Sequence, residues 1–292
     1  MQYVRSSALQ PPRSRLELLT VVIAAASVLA AAGCATSPDP PFQTDSYPSR
    51  VSAADSAFGW YAYFPADAPD VRIRRVFLAG DWDRGYEKLP VDVYYPPQFH
   101  YRRAEPAVIV LAGAVKWSSN ISLAAMLAAE GVVAVVLDTL GAGERLQSAI
   151  DGLAAQGADL LIDTSRLAVW SEGHAAPEVL EALLDPDWRM HGAMRAGVFI
   201  SPVMCLGRGA GFRYDPAQMA TDVPIFIARA AGDDMYEVRT SITRFMEAAE
   251  PLGMDVQYVE SPIGGHNWML EEPDPAATDV IREAVGFLKT NL

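Results

Sequence analysis

Apolar runs that alternate with amphipathic helical segments are the feature that most constrains how this chain folds. Two of the runs, residues 108–111 and 132–137, contain no polar side chain. Strands inside a parallel sheet with helices over both faces show this pattern, whereas a strand with one face in water alternates apolar and polar residues. From about Ala53 onward, the chain therefore predicts an α/β fold with a mostly parallel central sheet and helices on both faces.

The same patterns place the individual elements along the chain. The predicted strands are residues 71–78, 88–95, 107–111, 132–137, 166–169, 196–200, 225–229 and 256–259. Helices are predicted at residues 121–130, 146–161 and 178–184, around 242–249, and from Asp274-Pro275 toward the C-terminus. Residues 88–95 alternate in polarity, so we expect the first two strands to form an antiparallel edge of the sheet.

The first 33 residues have the composition of an export signal. Three arginines precede an apolar run over residues 18–32, which has the length of a signal-peptide core and is short for a membrane span. The run ends in small residues directly before Cys34 and resembles the lipobox of bacterial lipoproteins. This resemblance implies that Cys34 is lipidated and becomes the new N-terminus of a protein anchored in the cell envelope. An uncleaved anchor or ordinary secretion is the alternative.

The remaining chain divides into a tether and one large domain. Residues 34–52 are rich in Ser, Pro and Asp without apolar periodicity, which predicts a flexible tether. Residues 53–292 form the predicted domain, with residues 203–221 as a small lid inserted over the site.

Charge and cysteine content exclude several kinds of partner. The net charge of -13 repels phosphate backbones, so we expect no nucleic-acid partner. The two cysteines, Cys34 and Cys205, are too few for a disulfide framework or a multi-cysteine zinc site. Glycines at 141 and 143 lack the third glycine of a dinucleotide fingerprint. We therefore expect neither a metal nor a cofactor, and the sequence is silent on the oligomeric state.

A serine, an acidic pair and a histidine each follow a different predicted strand. Ser171 comes after the strand at 166–169 and before a helix, which is the context of a nucleophile elbow. Asp233 and Asp234 follow the strand at 225–229, and His266 lies in a glycine-rich loop after the last strand. The order Ser, Asp, His is that of the α/β-hydrolases. The first glycine of the G-x-S-x-G pattern is replaced by Val169.

The chain from about Arg74 onward resembles the α/β-hydrolase superfamily, most closely its dienelactone hydrolase-related and esterase branch. Residues 224–234 are similar to the strand and A-G-x-D turn of that branch, which implies that Asp234, rather than Asp233, is the triad acid. Gly264-Gly265-His266 resembles its histidine loop, and residues 106–114 resemble its oxyanion turn, with Ala112 in place of the usual histidine.

The resemblance implies a serine hydrolase that cleaves a small-molecule carboxylic ester. Ser171 is the implied nucleophile, His266 the base and Asp234 the acid, while the backbone N–H groups of Ala114 and Glu172 hold the oxyanion. Two other classes stay open. One is a non-catalytic ligand-binding lipoprotein on the same fold, and the other is a serine peptidase or acyltransferase with the same catalytic residues.

Overall fold

The computed structural model describes residues 50–51, 71–79, 88–99, 103–111, 117–137, 142–185, 193–204, 222–266, 268–270 and 274–292. Contacts divide the chain into two units, Met1–Phe42 and Gln43–Leu292, and every described residue belongs to the second. The predicted signal peptide and Cys34 therefore lie outside the described residues. No helix within the described ranges is long and apolar enough to cross a membrane.

Nine strands form one sheet in the described part of the chain. They are β1 (Arg50–Val51), β2 (Val71–Ala79), β3 (Lys88–Tyr95), β4 (Glu105–Leu111), β5 (Val133–Leu137), β6 (Ile162–Glu172), β7 (Met194–Ile200), β8 (Ile225–Ala230) and β9 (Val256–Ser261). Their order across the sheet is β1-β2-β3-β5-β4-β6-β7-β8-β9. β1 to β3 run antiparallel, as does the β3–β5 pair, and every pairing from β5 to β9 is parallel. The mostly parallel sheet with an antiparallel edge confirms the predicted arrangement.

Helices cover both faces of this sheet. They are α1 (Trp117–Ala129), α2 (Ala142–Gln156), α3 (Ala176–Leu184), α4 (Tyr236–Ala249) and α5 (Pro275–Asn291). Apolar residues of α1 and α5 pack on one face and those of α2, α3 and α4 on the other. Successive strand side chains point to opposite faces, so the buried apolar stretches of β4 (residues 107–111) and β6 (residues 167–170) contribute to both cores.

Two local differences from the prediction concern the ends of elements. Two residues near the end of the predicted tether, Arg50 and Val51, pair with β2 instead of staying outside the sheet. The strand predicted at 166–169 is longer at both ends and runs from Ile162 to Glu172. This second difference moves the turn that follows the strand, and it changes the site.

Candidate active site

Asp233, Asp234 and His266 follow strands whose carboxyl ends share one edge of the sheet. β4, β6, β7, β8 and β9 are mutually parallel. The chain passes from β4 outward to β5 and then returns to the other side of β4 to form β6. Open α/β sheets bind ligands outside the carboxyl ends at such a reversal of strand order. The edge beyond β4 and β6 is therefore where a ligand site is expected.

A buried carboxylate and a histidine meet at this edge. His266 Nδ1 lies 3.0 Å from Asp233 Oδ2, which joins the loops after β9 and β8. The Asp233 side chain is 0% exposed, whereas that of His266 is 24% exposed. The second carboxylate oxygen of Asp233, Oδ1, accepts a hydrogen bond from the Met235 N–H at 3.1 Å. Both oxygens of this buried group thus have a partner, as burial of a charge requires.

The carboxylate next to the histidine is Asp233 and not Asp234. A turn in which the Asp233 N–H donates to the Ala230 carbonyl at 3.1 Å follows β8. It points the Asp233 side chain inward, while Asp234 is exposed. The assignment of the acid to Asp234 is corrected accordingly. Because the two carboxylates are adjacent, only the geometry of this turn distinguishes them.

Close contact between two glycines lets the two loops meet. A Cβ atom built on Gly232 would lie 2.6 Å from the Gly264 carbonyl oxygen, so any side chain at 232 would push the loops apart. Gly264 itself has a φ of 87°, a conformation that favours glycine. Trp268, two residues after His266, is buried, and its Nε1–H donates to Ser201 Oγ at 3.2 Å. This hydrogen bond connects the histidine loop to the segment after β7.

Ser171 lies inside β6 and not at the turn that follows it. It pairs in register with Leu111 of β4 and Phe199 of β7, both completely buried. Its own exposure is 0%, and its Oγ has no hydrogen-bond partner among the described residues. The structure brings Asp233 and His266 together but leaves the Ser171 hydroxyl in the core. In this position the hydroxyl is not exposed to solvent.

The turn after β6 begins at Gly173. Its φ of 54° is left-handed, and residues Gly173–Ala175 form a single 3-10 turn before α3. The Gly173 carbonyl accepts a hydrogen bond from the Val203 N–H at 3.0 Å, which links this turn to the segment after β7. Gly173 was not among the residues predicted for the site, although small residues, Ser171 and Ala175, lie two places before and after it in the sequence.

Glu172 is the last residue of β6, and its side chain is buried on the other face of the sheet from Ser171. Trp170 Nε1–H donates to its Oε1 at 3.3 Å, and Oε2 has no partner among the described residues. Burial raises the pKa of Glu172 to about 7, an effect that the Trp170 hydrogen bond reduces. The other proposed oxyanion residue, Ala114, lies outside the described residues, as does Ala112.

Other predicted features contribute little to the described part of the site. Val203 and Met204, the first residues of the predicted lid, are buried in the core, and residues 205–221 lie outside the described ranges. A cavity of about 290 Å³ lies between α4 and the β8–β9 edge, lined in part by Arg229 and Tyr258, and it includes neither Asp233 nor His266. Among the described residues, no cluster of His, Cys, Asp and Glu is suited to hold a metal ion.

Known proteins share the fold of this chain but not its sequence. No protein-family model and no curated protein matches it. An esterase from Rhizomucor miehei superimposes with a TM-score of 0.65 at 17% identity, over 91% of this chain and 96% of that one. Esterase 2 of Thermogutta terrifontis, phosphoramylated by tabun, gives 0.59 at 17% identity, over 74% of this chain and 94% of that one. Its butyrate-bound form gives 0.57 at 16% identity, with the same coverage. The chain therefore has the predicted α/β-hydrolase fold.

Replacing Ser171 with alanine tests whether its hydroxyl is unpaired. An unpartnered buried hydroxyl costs about 1–3 kcal/mol, so Ser171→Ala is expected to leave the free energy of unfolding unchanged or to raise it by about 1 kcal/mol. Urea denaturation measures this. Ser241→Ala is the matched control, because Ser241 is equally buried but bonds to the Met204 N–H at 2.9 Å and to the Val238 carbonyl at 3.1 Å. The control should lose about 1 kcal/mol. A similar loss at Ser171 would contradict the absence of a hydrogen-bond partner for its hydroxyl.

The raised pKa of Glu172 predicts a specific pH dependence of stability. Between pH 4.5 and about 7 the unfolded chain ionises this group while the folded protein keeps it protonated, so stability falls as the pH rises through this range. The full effect corresponds to about 3 kcal/mol. The unfolding free energy of Glu172→Gln minus that of wild type should increase from pH 4.5 to about 7 and stay constant above this range. Glu247→Gln removes the same charge from an exposed position and is the control. Equal pH profiles for wild type and Glu172→Gln would refute the prediction.

Proposed function

We propose that this protein hydrolyses carboxylic esters of small molecules, with His266 as the general base. The observation that carries the proposal is the 3.0 Å contact between His266 Nδ1 and the buried Asp233 carboxylate. A hydrogen bond from Nδ1–H to a carboxylate fixes the tautomer in which Nε2 has a free lone pair. Asp233 also stabilises the imidazolium that forms when Nε2 takes a proton. The pair is therefore organised for proton transfer at the edge of the sheet.

The choice of substrate is supported by the solved structures with this fold. Those described above are esterases, and one of them is bound to butyrate. At 16–17% identity they support a substrate class for this chain without showing it. The motifs at residues 224–234 and 264–266 support a place in the dienelactone hydrolase-related and esterase branch.

Ser171 takes no part in the proposed reaction. An acyl-enzyme on Ser171 would require its hydroxyl to leave the space between Leu111 and Phe199, and the last two residues of β6 to give up their pairing with β7. That change removes backbone hydrogen bonds from the centre of the sheet. The His266–Asp233 pair can act as the oriented base without this change in β6.

Ligand binding without turnover is the second candidate function. The observation that favours it is the burial of Ser171, which leaves the described part of the site without an accessible hydroxyl nucleophile. On this alternative, the fold presents a small-molecule site and the His266–Asp233 pair serves as a polar contact for the ligand. Tight binding of a small ester or acid with no hydrolysis would favour this candidate.

Substitutions at the histidine and at the two aspartates test the first candidate. With p-nitrophenyl butyrate as substrate, His266→Ala and Asp233→Asn should each lower kcat/KM by about 10²–10⁴-fold, because each removes the oriented base. Asp234→Asn is the matched comparison, since it changes the neighbouring exposed carboxylate, and it should retain the wild-type rate. Equal losses for both asparagine variants would contradict the assignment. Faster cleavage of aminoacyl-p-nitroanilides than of esters would favour a peptidase.

We also propose that the protein is exported and lipidated at Cys34, a proposal supported by the sequence of residues 1–34 alone. During expression of the full chain in a bacterium that processes lipoproteins, an alkyne-tagged fatty acid should be incorporated into the wild type. Cys34→Ser should lose the label and leave the membrane fraction. Cys205→Ser changes the second cysteine and should keep both properties. Label retained in Cys34→Ser would exclude anchoring at this residue.

A further inference from the structure

We infer that Gly173 occupies the position of a nucleophile elbow, so that this chain carries out its chemistry without an acyl-enzyme. The inference rests on the proposed function for its reaction, and on backbone geometry for the position itself. Three independent features of the turn after β6 support it.

The first feature is where β6 ends. The strand pairs with β7 through Glu172↔Ile200, and the next residue, Gly173, leaves the sheet with a φ of 54°. An elbow nucleophile sits on this kind of sharp turn between a strand and a helix, with its side chain exposed above the sheet. Ser171 is two residues too early, within the paired part of the strand.

The second feature is the space around Gly173. A Cβ atom built on it meets no described atom within 4 Å. At Gly197 and Gly232 a Cβ would instead lie 2.6 Å from another group. Crowding by a neighbouring residue therefore does not explain why position 173 is a glycine. A side chain at this position would project freely from the turn.

The third feature is the spacing of small residues. In the G-x-S-x-G pattern small residues lie two places before and two after the nucleophile. Centred on Ser171, the pattern puts the β-branched Val169 at the first of these positions. Centred on Gly173, it puts Ser171 and Ala175 there, both small and both buried. The position also lies beside β4, where the order of the strands reverses.

A glycine at this position provides no side chain that could attack the substrate. We assign the attack to water. Its oxygen bonds to the ester carbonyl carbon while His266 Nε2 takes one of its protons. The resulting tetrahedral intermediate breaks the bond between that carbon and the alkoxy oxygen, and Nε2 returns the proton to the leaving alkoxide. The products are one carboxylic acid and one alcohol, and the histidine ends in its starting state.

Restoring a hydroxyl at the turn tests the inference. We would treat the purified full chain with a fluorophosphonate probe and map any adduct by peptide mass spectrometry. Wild type should not be labelled. Gly173→Ser should be labelled at position 173, and adding His266→Ala should slow that labelling at least tenfold. Gly173→Ala has the same added Cβ and backbone strain without the hydroxyl, and should stay unlabelled.

The outcomes separate this inference from the proposed function. Labelling of wild type at Ser171, or a folded Gly173→Ser variant without label, would overturn the assignment of the elbow to Gly173. If circular dichroism shows that Gly173→Ser is unfolded, the test depends on the labelling of the wild type alone. An unlabelled wild type then supports the inference. Loss of the proposed function has a different signature, namely no ester hydrolysis by wild type while Gly173→Ser still acquires the label.

Discussion

The position of β6 in the middle of the sheet determines where the side chains of Ser171 and Glu172 point. β6 pairs with β4 on one side up to Ser171 and with β7 on the other up to its last residue, Glu172. Its side chains must therefore alternate between the two cores. Ser171 faces the core under α2, α3 and α4, and Glu172 faces the core under α1 and α5, with Trp170. Only Gly173 is free of this alternation, because it is the first residue outside the ladder.

The His266–Asp233 pair depends on a different constraint, the parallel pairing of β8 and β9. These strands stay in register to Ala230↔Ser261, and the Ala231 N–H continues the contact with the Ser261 carbonyl at 2.8 Å. The loops then approach closely through Gly232 and Gly264. Backbone geometry thus places His266 next to the Asp233 carboxylate.

Agreement between sequence and structure is best where burial is simple. The apolar runs at 108–111 and 132–137 lie in β4 and β5, and the predicted start of the C-terminal helix at Asp274-Pro275 agrees with α5, whose first turn is capped by the Asp274 carboxylate. The end of β6 was misplaced because Ser171 and Glu172 are polar, and polar residues after an apolar run usually mark the end of a buried strand. Here both remain buried within the strand, so the turn is two residues later than its polarity suggests.

The sequence by itself determined the fold class, the order of the strands and helices along the chain, and the two loops that carry Asp233 and His266. These features follow from local patterns of polarity and from the positions of glycines, each of which constrains only a few neighbouring residues. Only the tertiary structure decided which of two adjacent aspartates contacts the histidine and which residue lies at the turn after β6. Both outcomes depend on pairing with strands that are distant in sequence, since a shift of one residue along a strand or turn exchanges the buried and exposed sides.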